Sequence, residues 1–304
     1  MSDNSTVPSR GDGAGAEADN AEIQALPALD RMPETDDRDE YDPSDWQLAI
    51  ADIRAGLARH ALVLYLAWDT IRESHQRTFF GPLWAMASVA VFVLGIGLLF
   101  GEILHLRVVA FLPYLATGYL VWLMIMNMIN EACSVFVRQK NLILSSDTPY
   151  SVYVFQNIVK SLITFLLGLP IVVGTLMWYG PPSIPMVLVA VVGLVIIAVN
   201  GVSVCILLGI VCLRYRDVRE TVRTLMRFFF FLTPIIWQAD MLSNRAYIAM
   251  YNPFTHFLSL VRDPLLGTFP PLISWVVCLL ITAAGLAAAL TAFAKLRHRI
   301  PFWL

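Results

Sequence analysis

Two polar stripes interrupt the apolar stretches of this 304-residue chain. Asn127, Asn130, Glu131 and Ser134 recur at i, i+3, i+4 and i+7, and Asn157, Lys160, Ser161 and Thr164 repeat that spacing, so on helices each set shares one face. A charge at such a position costs about 3 kcal/mol on a lipid face even on insertion scales. Glu131 and Lys160 are therefore expected to turn inward as an intramembrane polar pair. The competing arrangement has Lys160 snorkelling to the headgroups and Glu131 protonated.

Other chemistry is thinly represented. No G-x-x-x-x-G-K-[ST] phosphate loop occurs, and Gly11-Asp12-Gly13 has neither a preceding strand nor a following helix pattern, which excludes ATP binding by that route. His60, His75, His105, His256 and His298 are scattered without a pair at ligand spacing, so no metal site is expected. Cys133, Cys205, Cys212 and Cys278 lie in or beside apolar stretches and read as small packing residues. Membrane-embedded acyl or glycosyl transfer would need a base or carboxylate beside a polar cleft. Only Glu102, Asp240 and Asp263 fall on the outer side of the topology below, and no two cluster.

The elements that must position Glu131 and Lys160 are membrane helices. The chain is 58% hydrophobic and only 14% charged, more apolar than a soluble domain tolerates. Its net charge of −2 hides a split: residues 1–45 hold 13 acids and 3 arginines, and the remainder 10 acids and 18 basic residues. The acidic tail, residues 1–45, lacks apolar periodicity and is expected to be disordered, with no cleavable signal pattern at its start. Ser44 and Gln47 fit a capping box ahead of Trp46, Ile50, Ile53 and Leu57 at helical spacing. Residues 46–82 thus read as an amphipathic, interfacial cytoplasmic segment.

Six spans are expected, at about 83–104, 108–137, 152–178, 185–213, 225–237 and 272–294. Most exceed the roughly 20 residues that cross a bilayer. The fifth is short, closes on Thr233-Pro234, and leads into residues 238–271, which read as a re-entrant helical hairpin forming an external gate. Fourteen basic residues near span ends fall on one side, against Arg107, Arg245 and Arg262 on the other, so both termini are expected in the cytoplasm. Glu131 then lies about seven residues in from Arg138 and Lys160 about eight from Val152, matched depths of roughly 10 to 12 Å.

Several motifs carry a resemblance. Arg77-Thr78-Phe79-Phe80-Gly81-Pro82-Leu83-Trp84 resembles the start of the first span in ABC-2 type polysaccharide-export permeases. Leu213-Arg214-Tyr215-Arg216-Asp217-Val218 and Phe231-Leu232-Thr233-Pro234-Ile235-Ile236-Trp237 are similar to two further motifs of those permeases. Asn252-Pro253-Phe254, Val261-Arg262-Asp263-Pro264-Leu265-Leu266-Gly267 and the ending Arg299-Ile300-Pro301-Phe302-Trp303-Leu304 follow in the same order. The resemblance runs from Arg77 to Leu304 and is nearest to O-antigen and cell-wall galactan exporters; it leaves the acidic tail unexplained.

The resemblance implies an all-α inner-membrane subunit of a bacterial ABC transporter, acting as a homodimer with two copies of a separate ATPase that binds ATP and Mg. It implies an undecaprenyl diphosphate-linked polysaccharide as substrate and no nucleic-acid partner. Leu142, Ile143 and Leu144 are then candidates for ATPase docking. Sugar rings present apolar C–H faces, so Phe92, Tyr119, Trp122, Phe228, Phe229 and Phe231 are candidate channel aromatics. Guanidinium groups bind two phosphate oxygens at once, which makes Arg72 and Arg77 candidates for the lipid diphosphate at the entrance. Export of a drug or another lipid, a membrane enzyme of envelope assembly and a non-transporting scaffold are the competing readings.

Overall fold

The computed structural model describes residues 44–74, 76, 78–103, 108–238 and 247–304. The acidic tail up to residue 43, Arg77 and part of the expected gate, residues 239–246, lie outside them. Helix α1 (Ser44–Ala58) and helix α2 (His60–Ser74) precede a 3-10 turn at Gly81–Leu83 and α3 (Trp84–Ile103). Then come α4 (Val108–Ala132), the short α5 (Val135–Arg138) and α6 (Lys140–Ser145), and the long α7 (Tyr150–Tyr179) and α8 (Ile184–Arg214). After α9 (Asp217–Leu232) follow α10 (Tyr247–Tyr251), α11 (Pro253–Leu265), α12 (Leu272–Leu296), a 3-10 turn at Arg297–Arg299, and α13 (Ile300–Trp303). Every regular element among the described residues is helical.

Among the described residues five helices are long and apolar enough to cross a membrane: Gly81–Ile103, Val108–Ala132, Tyr150–Tyr179, Ile184–Arg214 and Leu272–Trp303. Leu98, Leu188 and Leu280 point outward from three of them and are more than half exposed, as expected of surfaces whose solvent is lipid. Helix α4 is the hub. It packs against α3, α7, α8, α9 and α11, and fills the core with Phe111, Leu115, Trp122 and Met124. Pro113 removes one amide from its ladder, and Thr117 Oγ1 donates to the Pro113 carbonyl at 2.7 Å. Helices α8 and α11 approach so closely at Gly193 that a Cβ there would lie 2.5 Å from the Leu260 carbonyl oxygen.

Two boundaries differ from the sequence expectation. The second span stops at Ala132 rather than 137, because Ser134 turns out of helical geometry (φ −129°) with its hydroxyl on the Glu131 carbonyl at 3.2 Å. This local bond competes with the helical ladder, and the chain continues as α5 and α6. The fifth segment starts at Asp217, well before 225, and ends at Leu232, before Thr233-Pro234. Charged residues at 217–227 hid its beginning from hydropathy, and Pro234 stops it. Sixteen residues span about 24 Å as a helix, short of about 30 Å of hydrocarbon.

At one end of the bundle a second apolar cluster unites α1 (Ala49), α5 (Val135, Phe136), α6 (Ile143), α8 (Ile206, Ile210) and α12 (Phe293) with Ile300. Buried Asp52 of α1 ties this end together. Its carboxylate accepts the Tyr150 amide at 3.2 Å and the Ser151 amide at 3.0 Å, capping α7, and pairs with Arg297 at 3.6 Å.

Candidate functional site

The structure brings Glu131 and Lys160 together between α4 and α7. Lys160 Nζ lies 2.7 Å from both carboxylate oxygens, and Arg138 Nη1 also reaches Glu131 Oε2 at 2.7 Å. Sequence spacing had not included Arg138; the break at Ser134 folds α5 back far enough for it to share the carboxylate. The surrounding seam is polar. Gln156 Nε2 donates to Thr70 Oγ1 at 2.9 Å and to the Leu66 carbonyl, joining α7 to α2. Asn157 Nδ2 donates to the Met128 carbonyl at 3.1 Å, joining α7 to α4. A charge triad with one acid and two bases keeps each member hydrogen-bonded in a half-buried setting, which the cost of burying a lone charge demands.

The aromatic candidates divide. Phe92 of α3 stacks on Tyr119 of α4 with ring centroids 3.7 Å apart. Phe230 of α9 meets both edge-on at 6.1 and 6.3 Å and approaches Trp122 at 6.0 Å. These four, with Phe231, Leu123, Met126 and Arg227, line a cavity of about 280 Å³ between α3, α4 and α9. Phe228 and Phe229 do not line it. Phe228 is exposed elsewhere on α9, and Phe229 packs on Phe254 of α11 at 5.1 Å. Phe230 was missed among four consecutive phenylalanines because only the start of α9 decides which of them faces α4.

Beside this cavity, three motifs separated in sequence meet. Tyr114 Oη donates to the carbonyls of Pro234 and Trp237 at 3.0 and 3.1 Å. Arg262 Nη1 donates to the Pro234 carbonyl at 2.7 Å while its guanidinium sits 4.4 Å from the Tyr114 ring. Asn252 caps α11 by accepting the Phe254 amide at 3.0 Å and donates to Thr233 Oγ1 at 2.9 Å. The backbone freed where Pro234 ends α9 is thus satisfied by side chains of α4 and α11.

Of the remaining candidates, Arg72 is exposed at the end of α2. Ile143 is buried in the second cluster, Leu142 packs against that cluster, and Leu144 stands 56% exposed, so only Leu144 has a free face. Next to them Lys140 Nζ donates to the Leu304 carbonyl oxygen at 2.5 Å. Among the described residues no three His, Cys, Asp or Glu side chains gather where a metal could bind.

The described residues thus form a helical bundle with five helices of membrane length, a charge cluster at Glu131 and an aromatic cavity between α3, α4 and α9. The chain belongs to the ABC-2 type transporter family, whose pattern it matches over residues 61–266. It is similar to the O-antigen export system permease protein RfbA of Klebsiella pneumoniae, 23% identical over 248 residues that cover 78% of this chain and 93% of that one. A second Klebsiella pneumoniae protein of that name is 24% identical, over 66% of this chain and 79% of its own. The Myxococcus xanthus protein of the same name is 23% identical, over 65% and 77%. This chain is therefore a multi-pass membrane permease of the ABC-2 type.

Proposed function

We propose that the chain is the membrane subunit of an exporter of lipid-linked polysaccharide of the O-antigen class, working as a homodimer with two copies of a separately encoded ATPase. The observation that carries the reading is the aromatic cavity of Phe92, Tyr119, Trp122, Phe230 and Phe231, at which Phe231 keeps an open ring of the kind that suits the C–H faces of sugars. The names of the three relatives support it. In this reading α9 is a short fifth span, α10 and α11 form a re-entrant hairpin on the outer face, and both termini face the cytoplasm of a bacterial inner membrane. Its basic span ends support that orientation. Leu144, with its exposed face on α6, is the proposed ATPase contact, and Arg72 and Arg77 are the first contacts of the lipid diphosphate. ATP and Mg belong to the partner.

The test is reconstitution of the chain with its ATPase in vesicles. Glycan bearing an undecaprenyl diphosphate should stimulate ATP hydrolysis and cross the membrane, and Tyr119→Ala with Phe230→Ala should abolish both. Equal stimulation by a lipid without sugar, or by a drug, would assign the chain to one of the competing export classes.

A further inference from the structure

Helix α9 carries a pattern beyond its aromatics. Arg216, Arg223 and Arg227 precede Phe230 and Phe231 at i, i+7, i+11, i+14 and i+15, a stripe roughly 100° wide at 3.6 residues per turn. Arg216 has helical dihedrals and continues the stripe into the flanking turn. The opposite face, with Val222, Met226 and Phe229, packs on the core. The stripe therefore runs as a ladder of guanidinium groups leading into the aromatic cavity, whose wall includes Arg227 itself.

Among the described residues Arg227 makes no hydrogen bond or ion pair, and Arg223 has only exposed Glu220, at 2.9 Å. In the cavity wall the buried indole Nε1–H of Trp122 has no acceptor either. Arg227 is exposed and Arg223 partly exposed on α9, so their guanidinium groups are open to an anion. Arg227 stands ten residues after Asp217, about 15 Å along the helix.

We infer that Arg223 and Arg227 form an anion subsite that holds the phosphates of an amphiphile while its first sugar lies against Tyr119, Phe230 and Phe231. This rests on the export reading and deepens it. Phosphate could come from the diphosphate of a polyprenyl carrier or from a bulk anionic headgroup. The place of Arg227 in an aromatic wall favours the carrier, because two guanidinium groups about 6 Å apart along one face suit a linked pair of phosphates.

The test measures equilibrium binding of radiolabelled polyprenyl diphosphate, without sugar, to the permease–ATPase complex in phosphatidylcholine nanodiscs, and in parallel binding of phosphatidylglycerol. Arg227→Gln should weaken diphosphate binding about tenfold and Arg227→Lys less, since lysine keeps the charge but loses the fork. Phosphatidylglycerol binding and the melting temperature should not move, since among the described residues Arg227 has no hydrogen-bond or ion-pair partner. Unchanged diphosphate binding in the Arg223→Gln, Arg227→Gln double variant overturns the subsite. Equal losses for both lipids also overturn it, making the arginines headgroup anchors. A wild-type complex that binds the diphosphate as described but exports no glycan sinks the export reading and leaves the subsite standing. One that exports glycan yet binds the bare diphosphate no better than phosphatidylglycerol does the reverse.

Discussion

Replacing Glu131 by Gln is expected to destabilise the bundle more than replacing Lys160 by Met, and the pair of changes together should cost less than their sum. Lys160 and Arg138 both lie 2.7 Å from the Glu131 carboxylate. At that distance and an effective dielectric of about 20, each contact is worth about 6 kcal/mol before desolvation is subtracted. Exposure decides how much survives: the side chains of Lys160 and Glu131 are 15% and 28% exposed, and that of Arg138 46%. Glu131→Gln leaves two cations facing one neutral amide, a loss of about 3 kcal/mol, at the low end for breaking a buried pair. Lys160→Met leaves Glu131 with Arg138, which limits its loss to about 1 kcal/mol. In the double variant Arg138 can swing to solvent, for a total of about 1.5 kcal/mol and a coupling of about 2 to 3 kcal/mol. Equilibrium unfolding in mixed micelles, followed by helicity, measures all four corners of the cycle. Additivity within about 0.5 kcal/mol would refute the reasoning and show that the two residues do not sense one another.

Arg262→Met should cost about 2 to 3 kcal/mol in the same unfolding assay, because the Pro234 carbonyl loses a charged donor where α9 ends, whereas Tyr114→Phe should cost about 1 kcal/mol. Equal effects would show that the guanidinium has no special part in holding the break. Gly193→Ala should destabilise by about 1 to 3 kcal/mol, since its methyl meets the Leu260 carbonyl and forces α8 away from α11; a neutral result would mean that the two helices separate freely. Leu144→Glu should leave the melting temperature unmoved and abolish co-purification with the ATPase, while Ile143→Glu, buried, should lower the yield of folded protein. Retained co-purification of Leu144→Glu removes α6 from the docking surface. The rigorously purified chain should hydrolyse no ATP in a phosphate-release assay, because it carries no phosphate loop; measurable turnover would require a nucleotide site of another kind.

The hydropathy runs overlap all five membrane-length helices among the described residues, because a bilayer sets both the length and the apolar character of such helices. The partners of charge were partly legible. Glu131 and Lys160 could be paired because depth in a membrane converts residue counts into distance, and the stripes told which faces they share. Arg138 could not be added, since its reach depends on the turn at Ser134, a local hydroxyl bond that no periodicity announces. The extent of α9 was misjudged for a related reason: its arginines look like a loop to hydropathy and like a helical stripe only once Asp217 is known to begin the helix.

By itself, then, the sequence determined a helical membrane protein and the approximate place of its long apolar helices, which follow from solvent and chain length. It also supplied the motifs Thr233-Pro234, Asn252-Pro253 and Arg262-Asp263 without saying that they touch. Only the tertiary structure decided that Tyr114 and Arg262 converge on one freed carbonyl, that Phe230 rather than Phe228 or Phe229 faces Tyr119, and that Ile143 is buried while Leu144 is free. Each of these depends on helix rotation and on approach between helices far apart in the chain. Such contacts are set by how α4 fills the centre of the bundle, a packing property that one-dimensional patterns of apolar and polar residues do not encode.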